Sequence, residues 1–95
     1  MNLGNTIKSL RVKKNLKQKE FSSKCGIAQA YLSQIENNQR EPNLSVLKTI
    51  AVHLGIPLPF LVFLSMDDSD VQDDKLEMFK KIEPSLKGLV NQFSA

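Results

Sequence analysis

Apolar residues recur every three or four positions along the first half of the chain, a spacing that predicts amphipathic helices. The first helix is expected over residues 3–14, with Asn2 as its N-cap. Two shorter helices follow over residues 18–24 and 29–37, and Gly26 between them can adopt the positive φ of a tight turn. Strand-like alternation and internal repeats are absent from the sequence, so we expect an all-α fold.

A fourth and a fifth helix are predicted downstream. Residues 44–54 form an apolar stripe that Asn43 can cap and Gly55 can end. The inward positions of that stripe are Leu44, Leu47, Ile50, Ala51 and Leu54. Pro57 can open a short fifth helix, because its missing N–H costs little at a helix start. Residues 58–64 are almost wholly apolar, which indicates a helix with more than one buried face.

The remaining residues have a different pattern. Residues 65–75 include five aspartates and are expected to be a solvated acidic linker or the acidic first turn of a helix. An amphipathic helical extension is predicted over residues 76–95, after a helix-turn unit spanning residues 1–64. Its heptad-like stripe consists of Leu76, Phe79, Ile82, Leu86, Leu89 and Phe93. Pro84 interrupts this stripe, so we expect a kink or two short helices.

The stripe on the extension has more than one possible partner. It can fold back on its own domain, pair with a second subunit, or belong to a partly disordered tail. The excess of apolar residues in the fifth helix favours an interface shared between two copies. The expected dimer interface consists of Phe60, Phe63, Leu64, Phe79, Ile82, Leu86, Leu89 and Phe93.

The charge is unevenly distributed along the chain. Residues 1–57 contain nine Lys or Arg against three Asp or Glu, whereas residues 58–95 contain four against seven. The basic part suits a polyanion such as nucleic acid, and the acidic part should face away from it or meet a protein.

Composition excludes several classes of protein. No apolar run reaches the roughly 18 residues needed to span a bilayer, and no signal sequence is evident, so a cytoplasmic protein without membrane contact is expected. Cys25 is the lone cysteine, which excludes an internal disulfide and favours a small buried side chain over a redox sensor. The spacing suggests no catalytic constellation, metal site, cofactor site or small-molecule pocket, so we do not expect an enzyme.

The segment from Gln18 to Asn37 has the composition of two short helices crossing at a glycine turn. The second helix of such a unit fits the major groove of DNA, where base edges present both donors and acceptors. Gln29 and Gln34 can donate and accept, and the amide of a glutamine matches adenine N6 and N7. Ala30 can pack against a thymine methyl group.

Several motifs together carry a family resemblance. They are Gln18, Gly26, the Leu-Ser-Gln-Ile-Glu run at 32–36, Pro42 and the Ile-Ala-x-x-Leu-Gly run at 50–55. Residues 3–64 resemble the helix-turn-helix family of phage lambda-type repressors, also called XRE-like. The resemblance implies a compact five-helix domain that binds double-stranded DNA.

The resemblance also implies roles for individual residues. It places Gln29, Ala30 and Gln34 toward base edges, and Tyr31 and Ser33 where they can touch bases or phosphates. The expected phosphate contacts are Gln18, Asn37, Asn38, Gln39 and Arg40, to which position adds Lys17. Gln18 is expected to brace Gln29, and Arg11 is expected to form a structural ion pair with Glu36. The chain departs from the family pattern at Lys17 and Ala28, where Ser or Thr caps are usual, and at Asn38, which replaces a frequent glycine.

These observations favour a sequence-specific DNA-binding transcriptional regulator that uses residues 29–37 in the major groove, as a homodimer on a palindromic operator. The alternative is a non-enzymatic interaction module or antitoxin subunit with the same fold.

Overall fold

A computed structural model describes residues 1–94, with side chains described through residue 92. Its elements are α1 (Leu3–Lys13), α2 (Gln18–Cys25), α3 (Gln29–Glu36), α4 (Leu44–Leu54), α5 (Leu58–Ser65) and α6 (Leu76–Ser94). Two 3₁₀ turns, Asp68–Asp70 and Asp73–Lys75, connect α5 to α6. No strand occurs within residues 1–94, which confirms the predicted all-α class.

Local sequence signals set the ends of most helices. The side chains of Asn2 and Asn43 cap α1 and α4, each accepting a backbone N–H three residues onward at 3.2 and 2.8 Å. Gly26 and Gly55 end α2 and α4 with φ of 70° and 74°, a left-handed conformation in which a side chain is strained. Asn38 takes a similar conformation, with φ of 58°, where the family often has glycine.

Helices α2 and α3 begin without a side-chain cap. Within the described chain, neither Lys17 nor Ala28 supplies a side-chain cap. The Glu20 carboxylate partly compensates in α2, because it accepts the Lys17 backbone N–H at 3.2 Å. The start of both helices therefore depends on packing more than on capping.

The hydrophobic core lies between the first five helices, where α1 packs on α3 and α5, and α2 packs on α3 and α4. Its fully buried side chains include Ile7, Phe21, Leu32, Ile35, Ile50, Leu54 and Leu61. Cys25 is buried at its edge, and this burial raises the pKa of its thiol. The prediction for Leu44 is wrong: it is exposed at the first position of α4, and Val46, which was not predicted, packs against the core beside Leu47.

The C-terminal extension is a single helix, so the expectation that Pro84 divides it into two short helices is wrong. Apolar contacts occur on both sides of the proline. The Phe79 ring packs on Phe63 with centroids 5.9 Å apart, and Val90 is 1% exposed. The helix thus continues through Pro84 despite the backbone N–H that proline lacks.

The acidic segment does not extend freely into solvent. The Met1 amine lies 3.3 Å from an Asp67 oxygen and 3.0 Å from an Asp70 oxygen. The Asn2 N–H also donates to the Ser65 carbonyl at 2.7 Å. The Ser69 hydroxyl, followed by the amine, lowers the pKa of Asp67. The segment is therefore fastened to the start of α1.

No single helix in the described residues is both long and apolar enough to cross a membrane. Helices α4 and α5 reach that length and composition only when taken together, and they meet at 98°.

Candidate nucleic-acid interface

Helix α3 has one face in the core and the other toward solvent. Leu32 and Ile35 are 0% and 1% exposed and anchor the helix from behind. Gln29 and Ala30, at its first turn, are exposed, and the later candidates for base contact are half-buried: Tyr31, Ser33 and Gln34. The packing thus gives this short helix a fixed outer surface with donor and acceptor groups.

A buried ion pair fastens the end of α3 to α1. The Arg11 guanidinium donates from Nε to Glu36 Oε2 at 2.7 Å and from Nη2 to Oε1 at 2.9 Å. The two side chains are only 9% and 2% exposed, and Arg11 Nη1 also donates to the Leu16 carbonyl at 2.8 Å. The structure therefore brings together the two residues that the resemblance paired, in a two-pronged geometry that fixes their relative orientation.

Hydrogen bonds continue from this pair to the solvent-facing side of α3. Gln18 Nε2 donates to Glu36 Oε1 at 3.1 Å, and Gln29 Nε2 donates to Gln18 Oε1 at 3.4 Å. The first residue of α2 thus contacts both ends of α3. A chain of four side chains links the buried charges to an exposed amide.

The loop after α3 is folded against the helix that precedes it. The backbone N–H groups of Gln39 and Arg40 both donate to the Gln34 carbonyl, at 2.8 and 3.3 Å. The Arg40 guanidinium carbon lies 4.8 Å from the centroid of the Tyr31 ring, within range of a cation–π contact. The Asn37 amide donates to the Ser33 hydroxyl at 3.5 Å. Exposed polar and basic groups therefore border the outer face of α3.

Asn38 is exposed, and its side chain also contacts α1. Its Oδ1 accepts the Gly4 N–H at 3.1 Å, and its Nδ2 donates to Asn2 Oδ1 at 2.9 Å. Asn38 Nδ2 carries a second N–H, which a phosphate contact could use without breaking either bond. Of the phosphate candidates, Lys17, Asn37, Gln39 and Arg40 are more exposed than Gln18, which is half-buried.

The profile of the helix-turn-helix family matches residues 7–61, which contain α2, α3 and the buried ion pair. This chain belongs to the helix-turn-helix family. The match confirms the resemblance on which the expected roles of individual residues were based.

The chain is also similar to individual proteins, several of which are named as regulators. The chain is 28% identical over 97 residues to the immunity repressor protein of Bacillus phage phi105, covering 90% of this chain and 67% of that protein. It is 39% identical over 59 residues to the ImmF control region 10 kDa protein of the same phage, covering 62% and 66%. An HTH-type transcriptional regulator of Sinorhizobium fredii, y4dJ, is 35% identical over 54 residues, covering 57% and 70%. The chain spans about two thirds of the length of each phage relative. Together these findings support DNA-binding transcription regulation.

Gly4 is a site residue that sequence reasoning missed. A Cβ atom at this position would lie 2.3 Å from the Ile35 carbonyl oxygen and 2.8 Å from that of Glu36. Only glycine therefore lets α1 approach the end of α3 this closely. The available signal was a glycine in the first turn of a predicted helix, where glycine has poor helix propensity.

Proposed function

We propose that this helix-turn-helix protein is a sequence-specific transcriptional regulator that binds double-stranded DNA in the cytoplasm. It inserts α3 into the major groove and acts as a homodimer on a palindromic operator. The observation that carries the proposal is the outer face of α3, where Gln29 and Ala30 are exposed while Leu32 and Ile35 fix the helix from within. The phage relative named an immunity repressor supports the regulatory role.

Base recognition is assigned to the outer face of α3. The amides of Gln29 and Gln34 can each pair with adenine, accepting from N6 and donating to N7. Ala30 can contact a thymine methyl group, and Tyr31 and Ser33 lie where they can reach bases or phosphates. A recognition helix commonly contacts bases through its N-terminal residues, which here are the most exposed positions of α3.

Backbone binding is assigned to groups on either side of that helix. Lys17 and Gln18 begin α2, and Asn37, Asn38, Gln39 and Arg40 follow α3. Cationic contacts to phosphate release counterions, so each one steepens the salt dependence of binding by about one unit in the logarithmic slope. These contacts set affinity and register but carry no sequence information directly.

Dimerisation is assigned to α5 and α6. Met78, Ile82 and Leu89 form a ridge along one side of α6, at 58%, 43% and 48% exposure. Phe63 and Phe79 contact each other within the chain, and Phe60, Leu64 and Leu86 are half-buried, so folding back covers only part of the expected interface. Phe93, also assigned to it, lies outside the described side chains. A two-fold pair would place two recognition helices about 34 Å apart, one turn of DNA.

Selection of bound duplexes from a random DNA pool tests the proposal. We expect a two-fold symmetric site that binds at least about 10³-fold more tightly than random duplex at physiological salt. Equal binding to selected and random duplexes across a salt titration would contradict it and favour the interaction module or antitoxin subunit.

A further inference from the structure

We propose that Asn2, at the start of α1, is a positioning residue for binding of the DNA backbone. Its side chain holds the amide of Asn38 so that one N–H of that amide is directed to a DNA phosphate. The inference rests on the proposed function, because it assumes that the loop after α3 contacts DNA. It extends the backbone-binding surface to α1, to which the proposed function assigns no DNA contact.

The backbone at residue 38 does not require an asparagine. Its φ of 58° is left-handed, and glycine, which is frequent here in the family, takes that conformation with less strain. The loop also has backbone anchors of its own, because the N–H groups of residues 38–40 donate to the Ile35 and Gln34 carbonyls at 2.8 to 3.3 Å. The contacts of the Asn38 side chain therefore serve something other than the shape of the loop.

Two backbone N–H groups of α1 determine how both asparagine amides face. The Gly4 N–H can only donate, so the end of the Asn38 amide that lies 3.1 Å from it must be the oxygen. The Asn5 N–H likewise fixes the Asn2 oxygen at 3.2 Å, and this oxygen accepts from Asn38 Nδ2 at 2.9 Å. Turning either amide over would place two donors or two acceptors together. The NH₂ group of Asn38 is thus held against Asn2, with one of its two N–H bonds used.

The second N–H of Asn38 remains for a partner outside the chain. Asn38 is exposed and lines the same open pocket as Arg40, the basic residue of this loop. A held amide loses less side-chain entropy on binding a phosphate oxygen than an amide that rotates in solvent. Because phosphates carry no sequence information, this contact should raise the affinity for all duplexes alike.

Two substitutions test the contact and its positioning separately. Asn38→Gly removes the amide and introduces a residue that fits the left-handed backbone, so the fold should tolerate it. Asn2→Ser keeps an N-cap on α1, because serine caps about as well as asparagine, but its shorter side chain loses the bond to Asn38. On the selected operator, Asn38→Gly should weaken binding by about tenfold, the worth of a hydrogen bond to a charged group. Asn2→Ser should weaken it by about threefold or more, and both losses should be the same on random duplex.

The double variant N2S/N38G shows whether Asn2 acts through Asn38. If it does, the double variant should bind as Asn38→Gly does, within about twofold, instead of showing the product of the two losses. Asn5→Ala is the matched control, because the Asn5 side chain, also in the first turn of α1, makes no hydrogen bond to the part of the chain that the structure describes. Asn5→Ala should bind DNA as the wild-type protein does.

The salt dependence of binding separates positioning of one amide from movement of the whole loop. An amide carries no charge, so the logarithmic salt slope should be unchanged in Asn2→Ser and Asn38→Gly, whereas displacement of Arg40 would lower it by about one. Wild-type affinity in folded Asn38→Gly, multiplied losses in the double variant, or a lower salt slope would each overturn the positioning role of Asn2. A wild-type protein that does not bind duplex DNA would instead overturn the proposed function, and this inference with it.

Discussion

Arg11 and Glu36 are oppositely charged residues removed from water together, and their contribution differs from that of a surface pair. Two hydrogen bonds join the Arg11 guanidinium to the Glu36 carboxylate, and Arg11 also donates to the Leu16 carbonyl. Desolvating both charges offsets much of their attraction, so the pair is a modest source of net stability. Its main effect is geometric, because it joins α1 to the end of α3.

Removing one partner should therefore cost more than removing both. We expect Arg11→Met to lower the free energy of unfolding by about 3–5 kcal/mol, since Glu36 is left as a buried, unpaired charge. The apolar double variant R11M/E36L should recover most of that loss. Urea denaturation of the single and double variants measures the loss of stability and its recovery. A single-variant loss below about 1 kcal/mol would contradict the assignment of a buried pair.

At the scale of elements, α1 approaches the end of α3 closely at Gly4. This contact positions Asn38, whose side chain spans from the Gly4 N–H to Asn2. The loop that borders the outer face of α3 thus depends on a glycine in a different helix.

Gly4→Ala should lower the free energy of unfolding by about 1–3 kcal/mol, because the added methyl group meets backbone carbonyls that cannot simply rotate away. Gly88→Ala is the matched control on α6: a Cβ there meets no atom within 4 Å of those described. It should stabilise the helix by up to about 1 kcal/mol. Urea denaturation measures the free energy of unfolding of both variants. Equal effects would contradict the close approach at Gly4.

The sequence pattern predicted some of these elements and not others. Spacing and caps predicted five helices of the repressor-like unit and the start of α6 at residue 76, because these depend on local signals. The continuity of α6 through Pro84 depends on contacts to other elements, which spacing does not contain. Val90 is buried although the predicted stripe passes through Leu89, because Phe79 on Phe63 fixes which side of α6 faces inward.

Prediction of the candidate site depended on the family resemblance as well as on local sequence signals. Periodicity indicated that α3 has an outer face, but the pairing of Arg11 with Glu36 spans 25 positions and came from the family resemblance alone. The hydrogen bond from Gln18 to Glu36 was not predicted, since it depends on how α2 crosses α3. The roles of these residues toward DNA stay predictions.

At the scale of the whole molecule, the ridge of Met78, Ile82 and Leu89 is the surface assigned to a second copy. Ile82→Glu and Leu89→Glu should each weaken dimerisation by about tenfold or more without unfolding the monomer, because both side chains are already exposed. Val52→Glu, at an exposed valine of α4, is the control and should leave the dimer intact. Sedimentation equilibrium measures the dissociation constants. Unchanged dimerisation in both α6 variants would place the interface elsewhere.

The molecule joins a basic helix-turn-helix unit to an acidic extension, and the proposal assigns sequence preference to α3 and affinity to the loop after it. The most direct test compares Gln29→Ala with Arg40→Ala on a library of operator variants. Gln29→Ala should flatten the preference at one base pair in each half-site, whereas Arg40→Ala should weaken every duplex alike and reduce the salt slope by about one. A Gln29→Ala protein that keeps the full wild-type base preference would contradict the assignment of α3 as the recognition helix.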